Sequence, residues 1–222
     1  MEAAAVAVTE APALSAYAAE VAGCTKCALA KGRTQIVFGS GSPTADLMFV
    51  GEAPGFHEDK QGVPFVGAAG QLLNKLLAGI GMTRDEVFVA NVLMCRPPGN
   101  RDPQPDEIAA CEPHLWKKIE LIQPKVIATL GNFATKLLSG SPLGITRVHG
   151  MEQEVTLGGN RVMLFPIFHP AAALYTPRML EVLETDFKRL PDLLGRTVAP
   201  PSPVMTLVAP AEPAQPQQLG LF

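Results

Sequence analysis

Short apolar runs alternate with amphipathic stretches along the middle of the chain. Each run is rich in β-branched or aromatic residues and is bounded by glycine, proline or asparagine, which is typical of buried strands. The four runs are DLMFVG (46–51), VFVANVL (87–93), KVIATLG (125–131) and RVMLFPIF (161–168). Between and after them, apolar residues recur at helical spacing, and this pattern predicts helices over 67–81, 105–122, 132–140 and 177–195.

The alternation of strands and helices predicts the class of fold. Consecutive strand–helix–strand units place their strands in parallel, with helices covering both faces of the sheet. We therefore predict an α/β fold built on a central, mainly parallel four-stranded sheet. In such sheets ligands bind beyond the carboxyl ends of the strands. The loops expected to carry function are 51–66, 91–104, 131–132 and 169–175.

The chain of 222 residues divides into three predicted segments. Residues 1–15 are alanine-rich and are expected to be flexible. Residues 16–195 contain the predicted strands and helices and form one domain, because a chain of this length buries a single core. Residues 196–222 are rich in proline and alanine and nearly uncharged, which is typical of an extended, disordered linker.

Composition and charge narrow the classes of function. The chain is 47% hydrophobic and carries a net charge of −3, which argues against broad, non-specific binding to polyanions. Any contact with nucleic acid must therefore come from a local basic surface. No run approaches the roughly 20 apolar residues of a membrane span, and the N-terminus lacks the basic and apolar regions of a signal peptide. We expect a cytoplasmic protein that does not enter a membrane.

Four cysteines have the spacing of a metal site. Cys24 and Cys27 form a C-x2-C pair, and Cys95 and Cys111 flank the proline-rich loop RPPGNRDPQPDE. Disulfides are disfavoured in a chain without a secretory signal, and four thiolates suit a tetrahedral or cubane site. The spacing predicts a metal clamp and leaves zinc and an iron–sulfur cluster both open. The alternative is that Cys95 and Cys111 are ordinary buried thiols.

Four sequence motifs and the spacing of the cysteines stand out along the chain. They are GEAPGFHED (51–59), GVPFVGAAGQLLNKLL (62–77), NVLMCRPPGNRDP (91–103), the cysteine spacing and HPAAAL (169–174). Together they resemble a family 4 uracil-DNA glycosylase from about residue 24 to residue 194. The resemblance implies a three-layer α/β/α sandwich and a [4Fe-4S] cluster on the four cysteines. It also implies removal of uracil from DNA, which leaves an abasic site for base excision repair.

The resemblance gives the candidate pocket residues their roles. An extruded base needs a flat stacking surface, and Phe65 is the candidate. Asn91 can donate to uracil O4 and accept from N3–H, a pattern that cytosine does not match. Cleavage leaves negative charge on uracil O2, which backbone N–H groups near Glu52 and Ala53 and the side chain of His169 can stabilise.

The carboxylate that assists water or the sugar cation is less well defined. In family 1 relatives an aspartate lies in the corresponding GQDPY stretch, whereas this chain has Ala53 there. Glu52 and Glu58 are therefore the candidates for a supporting role, and the sequence does not separate them. This chain also departs from many relatives at Phe56 and His57, where those relatives have acids. It lacks the arginine-rich insert with which some relatives trap the abasic sugar, so we expect turnover and a monofunctional enzyme.

Contacts to the DNA backbone are expected from loop arginines. Arg96, Arg101 and Arg147 lie in proline- or glycine-rich stretches near strand ends, although any of them could be merely solvated. The expected substrate is uracil-containing DNA, single- or double-stranded, and the expected oligomeric state is a monomer.

The chain ends in the apolar pentapeptide QLGLF. It is similar to the short peptides by which bacterial repair and replication proteins dock on the sliding clamp. Apolar residues at a solvated terminus have no core to join, so a groove on a partner is expected to bind them. The residues concerned are Gln218, Leu219, Leu221 and Phe222. The alternative is a frayed tail.

Three other functions compete with uracil excision for this sequence. A nucleotide-binding enzyme fails on motif, because GSGSP precedes a strand and GAAGQLLNK lacks the ending of a phosphate loop. A non-catalytic, cluster-bearing DNA-binding adaptor would be favoured by loss of the pocket residues, but Phe65, Asn91 and His169 are present. A glycosylase of broader base specificity stays open, because exclusion of a methyl group depends on fine pocket shape.

Overall fold

The computed structural model describes residues 2–196, with side chains from residue 12 onward. Eight α-helices are found in this part of the chain, and their bounds are α1 Glu2–Val21, α2 Phe56–Gln61, α3 Ala68–Gly79, α4 Pro105–Ile122, α5 Asn132–Ser139, α6 Ile145–Val148, α7 Pro177–Phe187 and α8 Leu190–Gly195. The strands are β1 Ser40–Gly41, β2 Leu47–Gly51, β3 Phe88–Asn91, β4 Val126–Leu130, β5 Gln153–Leu157 and β6 Asn160–Ile167. Short 3-10 helices cover Ala28–Lys31, Pro98–Asn100 and Pro170–Leu174.

The strands form one mixed sheet in the order β1-β3-β2-β4-β6-β5. Its four central strands are parallel and correspond to the four apolar runs of the sequence, so the mainly parallel α/β fold is confirmed. The predicted count of four strands is wrong, because β1 and β5 add antiparallel edges. Neither edge has a buried apolar run: β1 is only two residues long, and β5 has no fully buried residue.

Alternating side chains of the central strands feed two hydrophobic cores, as the pleat of a strand requires. Met48 and Val50 of β2 point to the core that α1, α4 and α5 cover. Leu47 and Phe49 point to the opposite core, which α3, α7 and α8 cover. Phe49 stacks on Phe187 of α7 with ring centroids 5.6 Å apart. The result is the three-layer α/β/α sandwich that the family resemblance implies.

Two segments differ from the prediction. Residues 1–15 were expected to be flexible, but α1 begins at Glu2, and its Leu14 is buried in the core. Alanine has the highest helix propensity of all residues, which explains a helix in this alanine-rich stretch. The helix predicted over 177–195 is divided into α7 and α8, and Pro191 lies in the first turn of α8, where the missing N–H is tolerated.

The C-terminal tail predicted for residues 196–222 lies, from residue 197 on, outside the described residues. QLGLF belongs to that part of the chain. Between residues 2 and 196, no helix has the length and apolar character needed to cross a bilayer.

The parallel strands bring four chain segments to one edge of the sheet. β2 ends at Gly51 and β3 ends at Asn91, which is its partner in register. β4 is followed by Gly131, whose N–H donates to the carbonyl of Ile167 at the end of β6. His169 follows two residues later. The loops that the sequence marks as functional therefore meet at this edge.

Candidate active site

A cavity of about 320 Å³ opens at the carboxyl edge of the sheet. It lies between the loop after β2, the loop after β3 and the 3-10 helix after β6. The residues that line it are Glu52, Ala53, Pro54, Gly55, Glu58, Phe65, Ala69, Asn91, Pro97, Asn100, Arg101, His169 and Ala171. All the substrate-binding and catalytic residues proposed from the sequence are in this set, so the structure brings them together.

Asn91 is held at the cavity wall with one acceptor unused. Its side chain is buried, and the amide oxygen Oδ1 has no hydrogen-bond partner among the described residues. Gly51 makes room for it, because a Cβ at Gly51 would lie 2.4 Å from Asn91 Oδ1 and 2.8 Å from Phe65 Cζ. A buried orphan acceptor is rare in folded proteins. An N–H donor of a ligand at this point would satisfy the Asn91 oxygen.

Phe65 has an unusual backbone conformation. It has a φ of +56°, which non-glycine residues seldom adopt, and its side chain is buried. Its carbonyl oxygen packs against Gly70 so closely that a Cβ there would lie 1.7 Å from it. The loop is therefore pressed onto the start of α3, and the ring lies on the cavity wall, stacked on His169 at a centroid distance of 5.4 Å.

His169 has a defined tautomer. Its Nδ1 accepts a hydrogen bond of 3.1 Å from the backbone N–H of Ala171, so the ring proton of the neutral form lies on Nε2. Burial lowers the pKa of His169 to about 4, and Glu58 opposes this shift only in part. The imidazole is neutral at physiological pH. His169 lines the cavity. Its neutral ring has one N–H donor, at Nε2.

The two candidate carboxylates have different environments. Oε1 of Glu58 accepts the backbone N–H groups of Val66 and Gly67 at 3.0 and 2.9 Å, so this carboxylate ties α2 to the loop that carries Phe65. The Glu52 carboxylate has no hydrogen-bond or ion-pair partner within residues 12–196. Burial raises its pKa, and the nearby Asp102 raises it further. The structure therefore ties Glu58 to the Phe65 loop and leaves the Glu52 carboxylate without a partner in the described part of the chain.

The three arginines predicted to bind DNA occupy different places. Arg101 lines the cavity but forms a two-pronged ion pair with the buried Glu107, at 2.9 and 2.6 Å. Arg96 lies at the rim, where its Nε donates to Asn100 Oδ1 at 2.7 Å. Arg147 is exposed on α6 and does not line the cavity.

Sequence reasoning missed three contributors to this site. Ala171 supplies the N–H that fixes the His169 tautomer. Asp102 raises the pKa of Glu52 through space. Asn100, which has a φ of +55°, lines the cavity and holds Arg96. The only available signal for Asn100 was its place in the PGN turn, since asparagine tolerates the left-handed conformation.

The four cysteine thiols lie in one region. Burial raises the pKa of Cys95, which the charges of Cys27 and Cys24 raise further. Burial also raises the pKa of Cys111 to about 11, with Cys95 and Cys27 adding to the shift. The thiols therefore lie close enough to influence each other electrostatically.

N–H donors face two of these sulfur atoms. The backbone N–H of Met94 donates to Cys111 Sγ at 3.3 Å, and Arg33 Nη1 donates to Cys95 Sγ at 3.7 Å. Such donors are typical of iron–sulfur sites, where they stabilise the thiolate ligands. Within residues 12–196, no three His, Cys, Asp or Glu side chains are arranged to hold a single metal ion. The four thiols and the N–H donors around them are compatible with a four-thiolate group.

Comparison with known proteins agrees with this geometry. The family model described as the uracil DNA glycosylase superfamily matches residues 38–191. The chain is 49% identical over 180 residues to the type-4 uracil-DNA glycosylase of Sulfurisphaera tokodaii, covering 78% of this chain and 81% of that one. It is 46% identical over 181 residues to the type-4 uracil-DNA glycosylase of Archaeoglobus fulgidus, covering 80% and 91%. A third enzyme of this name, from Saccharolobus solfataricus, is 45% identical over 187 residues, covering 82% and 87%.

Proposed function

The chain belongs to the type-4 branch of the uracil-DNA glycosylase superfamily, and from this premise we propose that it excises uracil from DNA at the cavity described above. The reaction hydrolyses the N-glycosidic bond and leaves an abasic site for base excision repair. The observation that carries the assignment is the unpaired, buried Oδ1 of Asn91 beside Phe65 and His169. A pyrimidine that offers an N–H beside a carbonyl oxygen satisfies this acceptor.

Base recognition follows from the donors and acceptors that the pocket presents. Asn91 Oδ1 accepts from uracil N3–H, and its amide group donates to O4. Cytosine has an unprotonated N3 and an amino group at position 4, so it would leave both groups of Asn91 mispaired. An unpaired buried polar group costs about 1–3 kcal/mol. Phe65 supplies the apolar ring against which the base stacks.

Bond cleavage needs stabilisation of the departing uracil. When the C1′–N1 bond breaks, its electron pair moves onto the base and is shared with O2. The neutral His169 donates Nε2–H toward that oxygen, and backbone N–H groups near Glu52 and Ala53 assist. Preorganised donors of this kind are typically worth about 10²–10³ in rate each.

Water completes the reaction at the sugar. Its oxygen forms the new bond to C1′, and one of its protons passes to the Glu52 carboxylate. A raised pKa makes a carboxylate a stronger base at neutral pH, and burial together with Asp102 raises that of Glu52. Glu58 acts indirectly, because it positions the Phe65 loop through Val66 and Gly67.

DNA must present the base outside the helix. Extruding a base from a duplex costs a few kcal/mol and is cheaper from a single strand, so both forms are substrates. Arg96 and Arg101 at the cavity, with Arg147 on α6, contact backbone phosphates. The reaction requires access to the genome, which favours action in the cytoplasm, and the expected oligomeric state is a monomer.

The cysteine site holds a [4Fe-4S] cluster through Cys24, Cys27, Cys95 and Cys111. When bound, the cluster supplies charge and a rigid crosslink, and no step of base excision passes through it. Arg33 supports the site from the protein side, because it donates both to the carbonyl of Cys24 and to Cys95 Sγ. This arginine therefore joins the C-x2-C segment to the first part of the loop after β3.

The terminal QLGLF tethers the enzyme to the sliding clamp through Gln218, Leu219, Leu221 and Phe222. Tethering raises the local concentration of an enzyme that must find sparse lesions. Deleting the last five residues is expected to abolish clamp binding in a pull-down or titration. Excision from a short oligonucleotide should be unaffected, and equal clamp affinity after the deletion would contradict the tether.

The function is tested by base release from oligonucleotides with one uracil, single-stranded and duplex, with thymine and hypoxanthine oligonucleotides in parallel. Alkali converts each abasic site into a strand break. We expect breaks at uracil alone, and their loss in Asn91→Ala. Release of thymine or hypoxanthine at comparable rates would show a broader specificity. No release by cluster-loaded protein would favour a non-catalytic adaptor.

A further inference from the structure

An exposed aromatic ring lies at the mouth of the cavity. Phe56 begins α2 directly after Pro54 and Gly55, which line the cavity, and its side chain is 47% exposed. Phe65 already provides the pocket's own aromatic wall, and excision as described above does not use Phe56. An exposed phenylalanine by itself is unremarkable, so its significance depends on what surrounds it.

Two cations lie over the Phe56 ring. Lys60 Nζ is 4.8 Å from the ring centroid, and Arg96 Cζ is 5.2 Å from it. Neither cation pairs with a carboxylate within residues 12–196, in contrast to Lys117 and Lys125, which do. Lys60 and Arg96 therefore keep their charge available for an anionic ligand at the ring.

The cluster is physically continuous with the pocket. Arg96 Nε donates to Asn100 Oδ1, and Asn100 lines the cavity. Two residues after Phe56 in α2, Glu58 also lines the cavity. A ligand on the Phe56 ring would therefore lie beside the rim of the cavity, where Arg96 and Asn100 are found. An aromatic face bordered by unpaired cations is the combination that binds single-stranded nucleotides.

We propose that Phe56, Lys60 and Arg96 form a stacking subsite for the nucleotide next to the extruded uracil. The base of this neighbouring nucleotide stacks on the Phe56 ring. Its phosphate binds Lys60 and Arg96, whose cationic groups move from the ring to the phosphate. Every base has a π face, so the subsite is tolerant of sequence. The subsite is most useful on single-stranded DNA, because in a duplex the neighbouring base is already stacked in the helix. This inference rests on the proposed excision of uracil.

The test is a double-mutant cycle in which a substitution in the protein is combined with a change in the DNA substrate. Single-turnover uracil release is measured for wild type and Phe56→Ala, on single strands that have either a normal neighbour or an abasic tetrahydrofuran spacer beside the uracil. The spacer is placed on the 5′ side in one substrate and on the 3′ side in another. Loss of base stacking is expected to lower kcat/KM roughly 5- to 150-fold.

The expected result is coupling on one side of the uracil. Phe56→Ala and the spacer should each reduce the rate, and the spacer should cost nothing further in the variant. Phe56→Tyr should retain wild-type behaviour, and Phe56→Leu should lose most of the effect. Independent, multiplying penalties on both sides would overturn the subsite.

Two controls separate the subsite from the pocket and from general charge. Inhibition by free uracil should be equal in wild type and Phe56→Ala, and weaker inhibition in the variant would overturn the proposal by showing damage to the pocket. For single-strand binding, Lys60→Ala should reduce the slope of log affinity against log salt concentration by close to the contribution of one charge. The matched Lys117→Ala should leave this slope unchanged. If the wild type releases no uracil from any substrate, the proposed function fails. Release without coupling rejects the subsite alone.

Discussion

Gly51 is the position where the smallest possible substitution should do the most damage to the pocket. Gly51→Ala adds one methyl group, which would lie 2.4 Å from Asn91 Oδ1 and 2.8 Å from Phe65 Cζ. Ordinary contacts lie near 3.5 Å, so Asn91 or the loop of Phe65 must move by about 1 Å. Gly51 does not have a positive φ, and backbone strain therefore adds nothing to this steric effect.

The magnitude follows from this displacement. Misplacing a group that orients the substrate by about 1 Å typically costs about 100-fold in rate. Overpacking a core costs about 1–3 kcal/mol, which for a domain of this size lowers the Tm by about 2–12 °C. We expect Gly51→Ala to lose about 100-fold in kcat/KM for uracil release and to bind free uracil more weakly.

The assay compares the Gly51→Ala protein with a Gly79→Ala protein that is purified and measured in the same way. A Cβ at Gly79 would have no heavy atom within 4 Å, and Gly79 is the last residue of α3, on its exposed side. Its variant should keep wild-type activity with an equal or slightly higher Tm. A Gly51→Ala protein with unchanged kcat/KM and unchanged uracil inhibition would refute the view that Gly51 sets the spacing between Asn91 and Phe65.

Three further predictions use the same protein. Glu52→Gln should lower kcat by a factor of about 10²–10⁴ with little change in inhibition by free uracil. Glu58→Ala should instead weaken uracil binding, because the Phe65 loop loses the hydrogen bonds to Glu58. Weaker uracil binding in Glu52→Gln and a lower kcat alone in Glu58→Ala would exchange the two roles. His169 has a pKa lowered to about 4, so its contribution to stability is present above its unfolded value near 6.5 and is lost as pH falls toward 4. Thermal melts from pH 7.5 to 5 should therefore show a smaller loss of Tm in His169→Gln than in wild type, and equal losses would contradict a neutral His169. Cys111→Ala should lose iron and the visible absorbance of the cluster, and retention of both would remove Cys111 from the ligand set.

The sequence predicted the pocket because the parallel sheet does most of the assembly. Asn91 and His169 are 78 residues apart in the chain, counted as 169 minus 91, but each lies at the carboxyl end of a central strand. Strands in parallel register end at one edge, so any polar residue directly after two such strands becomes a neighbour of the other. Knowing the strands was therefore enough to group these residues.

The roles of the two glutamates depended on contacts that no pattern encodes. Glu52 and Glu58 lie six residues apart in one loop and look equivalent in the sequence. The structure gives them different contacts, because the N–H groups of Val66 and Gly67, directly after the left-handed Phe65, donate to Glu58. The same limit applied to Arg101, whose partner Glu107 is buried at the first turn of α4.

The net charge of −3 argued mildly against DNA as a partner, and the placement of charges resolves that objection. Arg161 and Lys125 pair with nearby carboxylates, so these cations add little to the field around the protein. At the cavity mouth Lys60 and Arg96 lie beside Phe56 without such partners among the described residues. An acidic chain can therefore present a short basic surface where the substrate strand enters. Because so few phosphates are then neutralised, the affinity for undamaged DNA should stay low and fall only gently with salt. Such weak retention suits an enzyme that must leave normal DNA quickly to find a rare base.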